Sequence, residues 1–150
     1  MHRTLLYCAL ATALCSVSAV ADSTETTTKE ILTLERKALD GWMSGNPDAL
    51  LGAMDPEITY YHVIVGRRLD GLPAVTALFE GYRGRPLFDS YEIADPKVQV
   101  TGDTAVLSYV LVRHVGSLTD RWSATQVYIR RKDGWRVIHS HWSDVRMAGQ

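Results

Sequence analysis

Three turn signals constrain this chain more than any other feature. Gly102-Asp103, Gly116 to Asp120 and Asp133-Gly134 divide the last third into four β-rich runs. The runs are Tyr91 to Thr101, Thr104 to Gly116, Arg121 to Lys132 and Trp135 to Ser143. Asp-Gly between two apolar runs is a strong signal for a two-residue hairpin. Consecutive hairpins of this kind pair as an antiparallel meander, so a sheet must dominate the second half.

The first half reads as helix. Ile31, Leu34, Ala38, Leu39 and Trp42 recur at three- and four-residue steps, with Lys29, Glu30, Glu35, Arg36 and Lys37 assigned to the other faces. Gly41 is expected to interrupt this helix and Gly45 to end it. Asn46-Pro47-Asp48 starts a second, short helix, with Asn46 as cap and Asp55-Pro56 as its stop. Glu57 to Val65 reads as strand, Gly66 to Gly71 as a turn with a short return strand, and Leu72 to Tyr82 as a third helix. Helices first and a meander after them give the α+β class.

The strands are apolar on both faces in places. Leu107, Tyr109 and Leu111 alternate with Val106, Val110 and Val112. A sheet with one wet face alternates more cleanly. One face is therefore expected to cover the helices and the other to meet a second copy, which predicts a homodimer.

The first 21 residues carry a different pattern. Met1-His2-Arg3 supplies charge, Leu5 to Val17 is apolar, and Ala19 and Ala21 stand where a signal peptidase reads small residues. The apolar run is shorter than the roughly 18–20 residues of a spanning helix, so a cleaved export signal is expected and no membrane anchor after cleavage. Leu14 before Cys15 disfavours a lipid anchor. Residues 22–28 read as a flexible Ser/Thr-rich tether, 29–145 as one domain and 146–150 as a tail.

Both cysteines, Cys8 and Cys15, fall inside the signal, so the mature chain has no thiol for a disulfide or a cysteine metal site. The whole chain carries 16 Lys and Arg against 17 Asp and Glu; losing Arg3 with the signal leaves 15 against 17, a net −2. No basic block marks a nucleic-acid binder. No Gly-rich phosphate loop, nucleophile elbow or zinc-protease helix occurs, and no cofactor is expected.

Asp55-Pro56-Glu57-Ile58-Thr59, with Gly66 and Asp70-Gly71, resembles the first half of the association domain of calcium/calmodulin-dependent protein kinase II. So does the run from Val127 to Trp135, followed by Val137-Ile138-His139-Ser140-His141-Trp142-Ser143. The likeness covers about residues 29–145 and places the chain in the nuclear transport factor 2-like superfamily, which includes SnoaL-like proteins. It implies a curved antiparallel sheet wrapped as a cone around the N-terminal helices. The kinase-type pocket holds arginines; the matching positions here are Leu111, Gln126 and Trp142, with Arg113 the nearby basic group.

Strand parity then selects pocket candidates. Tyr109 and Arg113 share a face on one strand, and Trp122, Gln126 and Tyr128 the matching face of the next. The resemblance implies that Ile138, Ser140 and Trp142 join them on the last strand. Tyr60 or Tyr61 could supply a phenol. His62, His114, His139 and His141 are the titrators near neutrality outside the signal; no metal site is expected from them. Three functions remain open at this point. The first is a homodimer binding a small, mostly apolar or weakly acidic molecule in the cone. The second is a cofactor-free isomerase, hydrolase or cyclase using His62, His114 or Arg113. The third is a pure oligomerisation scaffold, if Trp122 and Trp142 fill the pocket. A carboxylate inside the pocket favours the enzyme; an apolar pocket with one arginine favours the binder.

Overall fold

A computed structural model of the protein describes the backbone of residues 8–145 and the side chains of residues 24–145. The charged start of the expected signal and the tail 146–150 lie outside the described residues. The elements in order are α1 (Cys8–Met43), α2 (Asp48–Ala53), β1 (Met54–His62), β2 (Leu69–Asp70), α3 (Leu72–Glu80), β3 (Ser90–Thr101), β4 (Thr104–Val115), β5 (Leu118–Arg131) and β6 (Gly134–Asp144). The strands form one curved, unclosed sheet in the order β2-β1-β6-β5-β4-β3. β1 runs parallel to β6; every other neighbouring pair is antiparallel. The fold is α+β with the helices on the concave face, as the element order implies.

Residues 22–28 do not form the expected tether. α1 runs through them, and Thr27 is buried. The stretch holds neither Gly nor Pro, so its polarity alone does not break a helix flanked by helical segments. Gly41 does not interrupt α1 either. Asn46 N–H donates to the Gly41 carbonyl at 2.8 Å, and a Cβ on Gly41 would stand 2.5 Å from Asn46 O. The glycine therefore lets the chain fold back against the helix. Pro47 holds the N-cap position of α2, and Asn46 Oδ1, one residue earlier, accepts from Asp48 N–H at 2.9 Å.

Asp55 is not a turn residue. β1 begins at Met54, three residues earlier than predicted, and Asp55 is buried within it. Its carboxylate accepts from Arg131 Nε at 2.8 Å and from Glu57 N–H at 3.0 Å. The hydrogen bond from Arg131 holds its pKa below the ordinary aspartate value. Arg130, next to Arg131, is also engaged: its guanidinium lies over the Trp135 ring, 4.3 Å from its centre. Trp135 is core, and its indole N–H donates to Glu30 Oε2 at 3.0 Å. These contacts tie the β5–β6 hairpin to α1 and β1.

The concave face is the core. α1 contributes Ile31, Ala38, Leu39 and Trp42, α3 contributes Val75 and Phe79, and β4 contributes Ala105, Leu107, Tyr109 and Leu111. Trp42 and Tyr60 both meet Phe79 edge-on, with ring centres 4.9 and 5.3 Å apart. On the convex face Val106, Val110, Val127 and Ile129 stay half-buried. The edge strand β3 carries Pro96 beside Asp95, whose φ is 49°, at a break in register with β4. Proline suits an edge strand, where its missing N–H costs no ladder bond.

The last strand corrects one parity expectation. Ala124 faces Trp142 and Gln126 faces Ser140, but Tyr128 faces Val137, because a bulge inserts Ile138 opposite the Val127–Tyr128 step. Ser140 and Trp142 therefore share the concave face with Gln126, while Val137 and Trp135 take it over beyond the bulge; Ile138 leaves it. Among the described residues no helix is long and apolar enough to cross a membrane.

Candidate functional site

The concave face of the sheet holds a cavity of about 80 Å³. α1 supplies Leu39 and Trp42, α3 supplies Phe79, and the segment leading into β3 supplies Leu87 and Phe88. The strands add Tyr60 and His62 from β1, Leu111 and Arg113 from β4, Trp122 from β5 and Trp142 from β6. Most of this lining is aromatic or aliphatic.

The polar groups gather around Trp122. His62 lies 4.9 Å from it ring to ring, and the Arg113 guanidinium stands 4.9 Å from its centre. Burial, with the Arg113 charge beside it, pushes the His62 pKa below the ordinary histidine value. Neutral His62 is then the dominant form at neutral pH. Arg113 is paired across the hairpin. Its Nε donates to Asp120 Oδ1 at 2.8 Å and its Nη2 to Asp120 Oδ2 at 2.5 Å. That pairing holds the Asp120 pKa down. The Trp122 indole N–H also favours the Asp120 anion, yet it is buried and makes no hydrogen bond by geometry. We take it as a spare donor, because a buried N–H without an aligned acceptor gains little from a nearby charge. Burial raises the Tyr60 pKa, so its phenol keeps its proton.

One helical turn deeper lies a second polar group that the sequence pattern had placed on the outside. Glu35 is 4 % exposed and enclosed by the cone. Tyr109 Oη donates to its Oε1, and Tyr128 Oη to its Oε2 at 2.6 Å. Burial raises the Glu35 pKa against the opposing pull of Tyr109, Tyr128 and Gln126. Burial raises both phenol values as well, with the Glu35 charge adding to it. The signal was present in the spacing: Glu35 is four residues from both Ile31 and Leu39, in the middle of the buried stripe. Leu39 and Trp142 separate this group from the cavity; Trp142 stands edge-on to Tyr109 with ring centres 6.0 Å apart.

The predicted site residues therefore fall into four places. Tyr60, His62, Arg113, Trp122 and Trp142 line the cavity. Tyr109, Gln126 and Tyr128 lie beneath it around Glu35. His139 and His141 share the opposite, convex face with Thr59 and Tyr61, because their parity on β6 is opposite to that of Ser140 and Trp142. His114 is exposed near the β4–β5 turn, with its Nδ1 3.0 Å from Thr119 Oγ1. The cavity holds no carboxylate in its lining.

Known proteins share this architecture. A candidate ketosteroid isomerase from Parabacteroides distasonis is 30% identical, with 77% of this chain and 86% of that chain covered and a TM-score of 0.70. The calcium/calmodulin-dependent protein kinase II hub of S. rosetta is 27% identical over 78% of this chain and 95% of its own, with a TM-score of 0.65. A nuclear transport factor 2-like protein of unknown function from Pseudomonas putida, 23% identical, matches in fold with a TM-score of 0.73 over 83% of this chain and 91% of that one. No curated protein matches the chain. Residues 27–146 match the calcium/calmodulin dependent protein kinase II association domain, and the chain belongs to that family.

Proposed function

We propose that the protein is an exported, self-associating domain whose cone cavity holds a small molecule, mostly apolar and with one acidic or hydrogen-bond-accepting end. The observation that carries this reading is the distribution of polarity in the cavity. Its walls are apolar, and His62, Arg113 and the unpartnered Trp122 N–H stand together at one side. A buried donor without a partner costs about 1–3 kcal/mol, which an accepting guest recovers. Asp120 uses Nε and Nη2 of Arg113, leaving Nη1 for that guest. The volume is about half of the roughly 150 Å³ that takes a benzene ring. The guest is therefore small, or it displaces Trp122 or Trp142 on entry.

Three of the four tryptophans, Trp42, Trp122 and Trp142, line the cavity, so their emission reports occupancy directly. Short-chain carboxylic acids and phenols are the probes. We expect one of them to shift the emission of the wild type and Arg113→Leu to weaken it about tenfold, the loss of one charge-assisted hydrogen bond. Equal affinity in Arg113→Leu, or no response to either class, overturns the cavity reading.

Self-association is supported by family membership and by the half-buried Val106, Val110, Val127 and Ile129 on the convex sheet face. Covering that face removes apolar area worth about 25 cal/mol per Å² before association costs. Light scattering at micromolar concentration is expected to give a dimer or larger assembly, and Val110→Lys to reduce it to monomers that unfold at a similar temperature. A wild-type monomer refutes the proposal. Export rests on the charged, apolar and small-residue zones ending at Ala21. In a Gram-negative host the periplasmic fraction should contain a chain starting at Asp22; a soluble cytoplasmic chain retaining Met1 excludes it.

A second reading, a cofactor-free acid–base enzyme, is favoured by Glu35 between its two phenols. A carboxyl with a raised pKa next to phenolic donors is the kind of pair that moves protons at neutral pH. It becomes the better reading if a ligand that moves Trp142 is found to be turned over.

A further inference from the structure

We propose that the cone cavity takes a guest with an uncharged carbonyl, as in a ketone, aldehyde or ester, in preference to a carboxylate. This rests on the cavity being a binding site and narrows the chemistry of what it holds. The polar side of the cavity is a set of donors. The Trp122 indole N–H is buried and unpartnered. Arg113 keeps Nη1 after Asp120 has taken Nε and Nη2. The third donor follows from a tautomer. His62 Nδ1 accepts from the Ile64 N–H at 3.2 Å, so in the neutral ring the proton sits on Nε2. Burial and the Arg113 charge favour that neutral ring. Trp42 and Trp142 carry donors only, and burial keeps the Tyr60 phenol protonated. An uncharged oxygen with two free lone pairs matches this set.

Charge decides against the carboxylate. Among the lining residues Arg113 alone is ionised, and the Asp120 carboxylate already neutralises it through two hydrogen bonds. The guanidinium is also fixed in place. Its centre stands 4.9 Å from the Trp122 ring and 5.9 Å from the Phe88 ring. The two-pronged edge that clamps a carboxylate is therefore spent on Asp120, and the guest meets a single N–H. A carboxylate would leave water with its full charge and meet a second carboxylate across the same guanidinium. A carbonyl oxygen accepts the same hydrogen bonds without bringing a charge between apolar walls.

Butanone and propanoate are the probes, since they share size and shape and differ in charge. Heteronuclear NMR of the full chain reads binding at the Trp122 indole N–H, whose signal is assigned by its loss in Trp122→Phe. At neutral pH butanone should move that signal and bind about tenfold tighter than propanoate. Asp120→Asn removes the counter-charge at a partly exposed side chain. It should raise propanoate affinity about tenfold and erase the preference, while the spread of the other indole signals shows that the variant is folded. The wild-type preference decides the matter by itself if Asp120→Asn does not fold. Propanoate binding tighter than butanone to the wild type overturns the carbonyl assignment and leaves the cavity as a binding site. A preference unchanged in folded Asp120→Asn overturns the assignment as well. If neither probe moves the signals of Trp42, Trp122 or Trp142, the assignment and the cavity reading fall together.

Discussion

Glu35→Ala is expected to destabilise the protein by about 2–5 kcal/mol, a loss set by a vacated core position and two stranded phenols. Tyr109 and Tyr128 both donate to Glu35 from inside the cone, where all three side chains are buried. Glu35→Gln is the informative partner variant. It keeps the shape and one carbonyl acceptor but cannot ionise. Burial raises the Glu35 pKa above 4.5, so above that pH the folded chain still holds a proton that the unfolded chain has released. By linkage the wild type loses stability as pH rises from about 4.5 through the raised native value, then levels off. Glu35→Gln should lack that slope, and the two stability curves should converge at acid pH and separate toward neutral, with the variant relatively favoured. Urea unfolding at a series of pH values measures this. Parallel curves exclude Glu35 as the titrating group and remove the proton-moving reading with it.

That group also shows where the sequence was readable and where it was not. The four long strands and their turns were legible because Gly102-Asp103 and Asp133-Gly134 have few other uses between β-branched runs. The concave parity of β4 and β5 followed from a strict period of two, and it placed Tyr109, Arg113, Trp122, Gln126 and Tyr128 on one face. The same rule failed on β6 at Ile138. A bulge changes parity without any composition signal, since Val137 and Ile138 are equally apolar. Glu35 was missed for a different reason. Charge outweighed position, although its spacing from Ile31 and Leu39 put it in the buried stripe. Asp55 looked like the stop of α2, and nothing in the local pattern links it to Arg131, because the pair spans 76 residues of sequence. Long-range pairs of this kind become visible once β1 is known to lie beside β6.

Gly45→Ala is expected to cost about 2–5 kcal/mol and to deform the cavity wall as well. Gly45 follows α1 with φ of +70°, a region that costs an ordinary residue about 1–2 kcal/mol. A Cβ there would also stand 2.7 Å from Arg85 N and 2.9 Å from both Arg85 C and Gly84 C. These are backbone atoms, so no side-chain rotation relieves the clash, and overpacking of this kind adds about 1–3 kcal/mol. The contact is a seam. Gly84 N–H donates to Gly45 O at 2.8 Å, and Leu87 N–H to Trp42 O at 3.2 Å. Through it the end of α1 fixes the segment that carries Leu87 and Phe88 over the cavity. Pushing the segment outward should therefore change Trp42 emission and any guest affinity even at temperatures where the protein stays folded. Gly66→Ala is the control. Its φ is +67°, but an added Cβ meets nothing within 4 Å. It should lose only the conformational cost and leave the cavity unchanged. The difference between the two variants in thermal unfolding isolates the seam; equal losses with unaltered Trp42 emission would show that the α1 terminus does not hold the cavity wall.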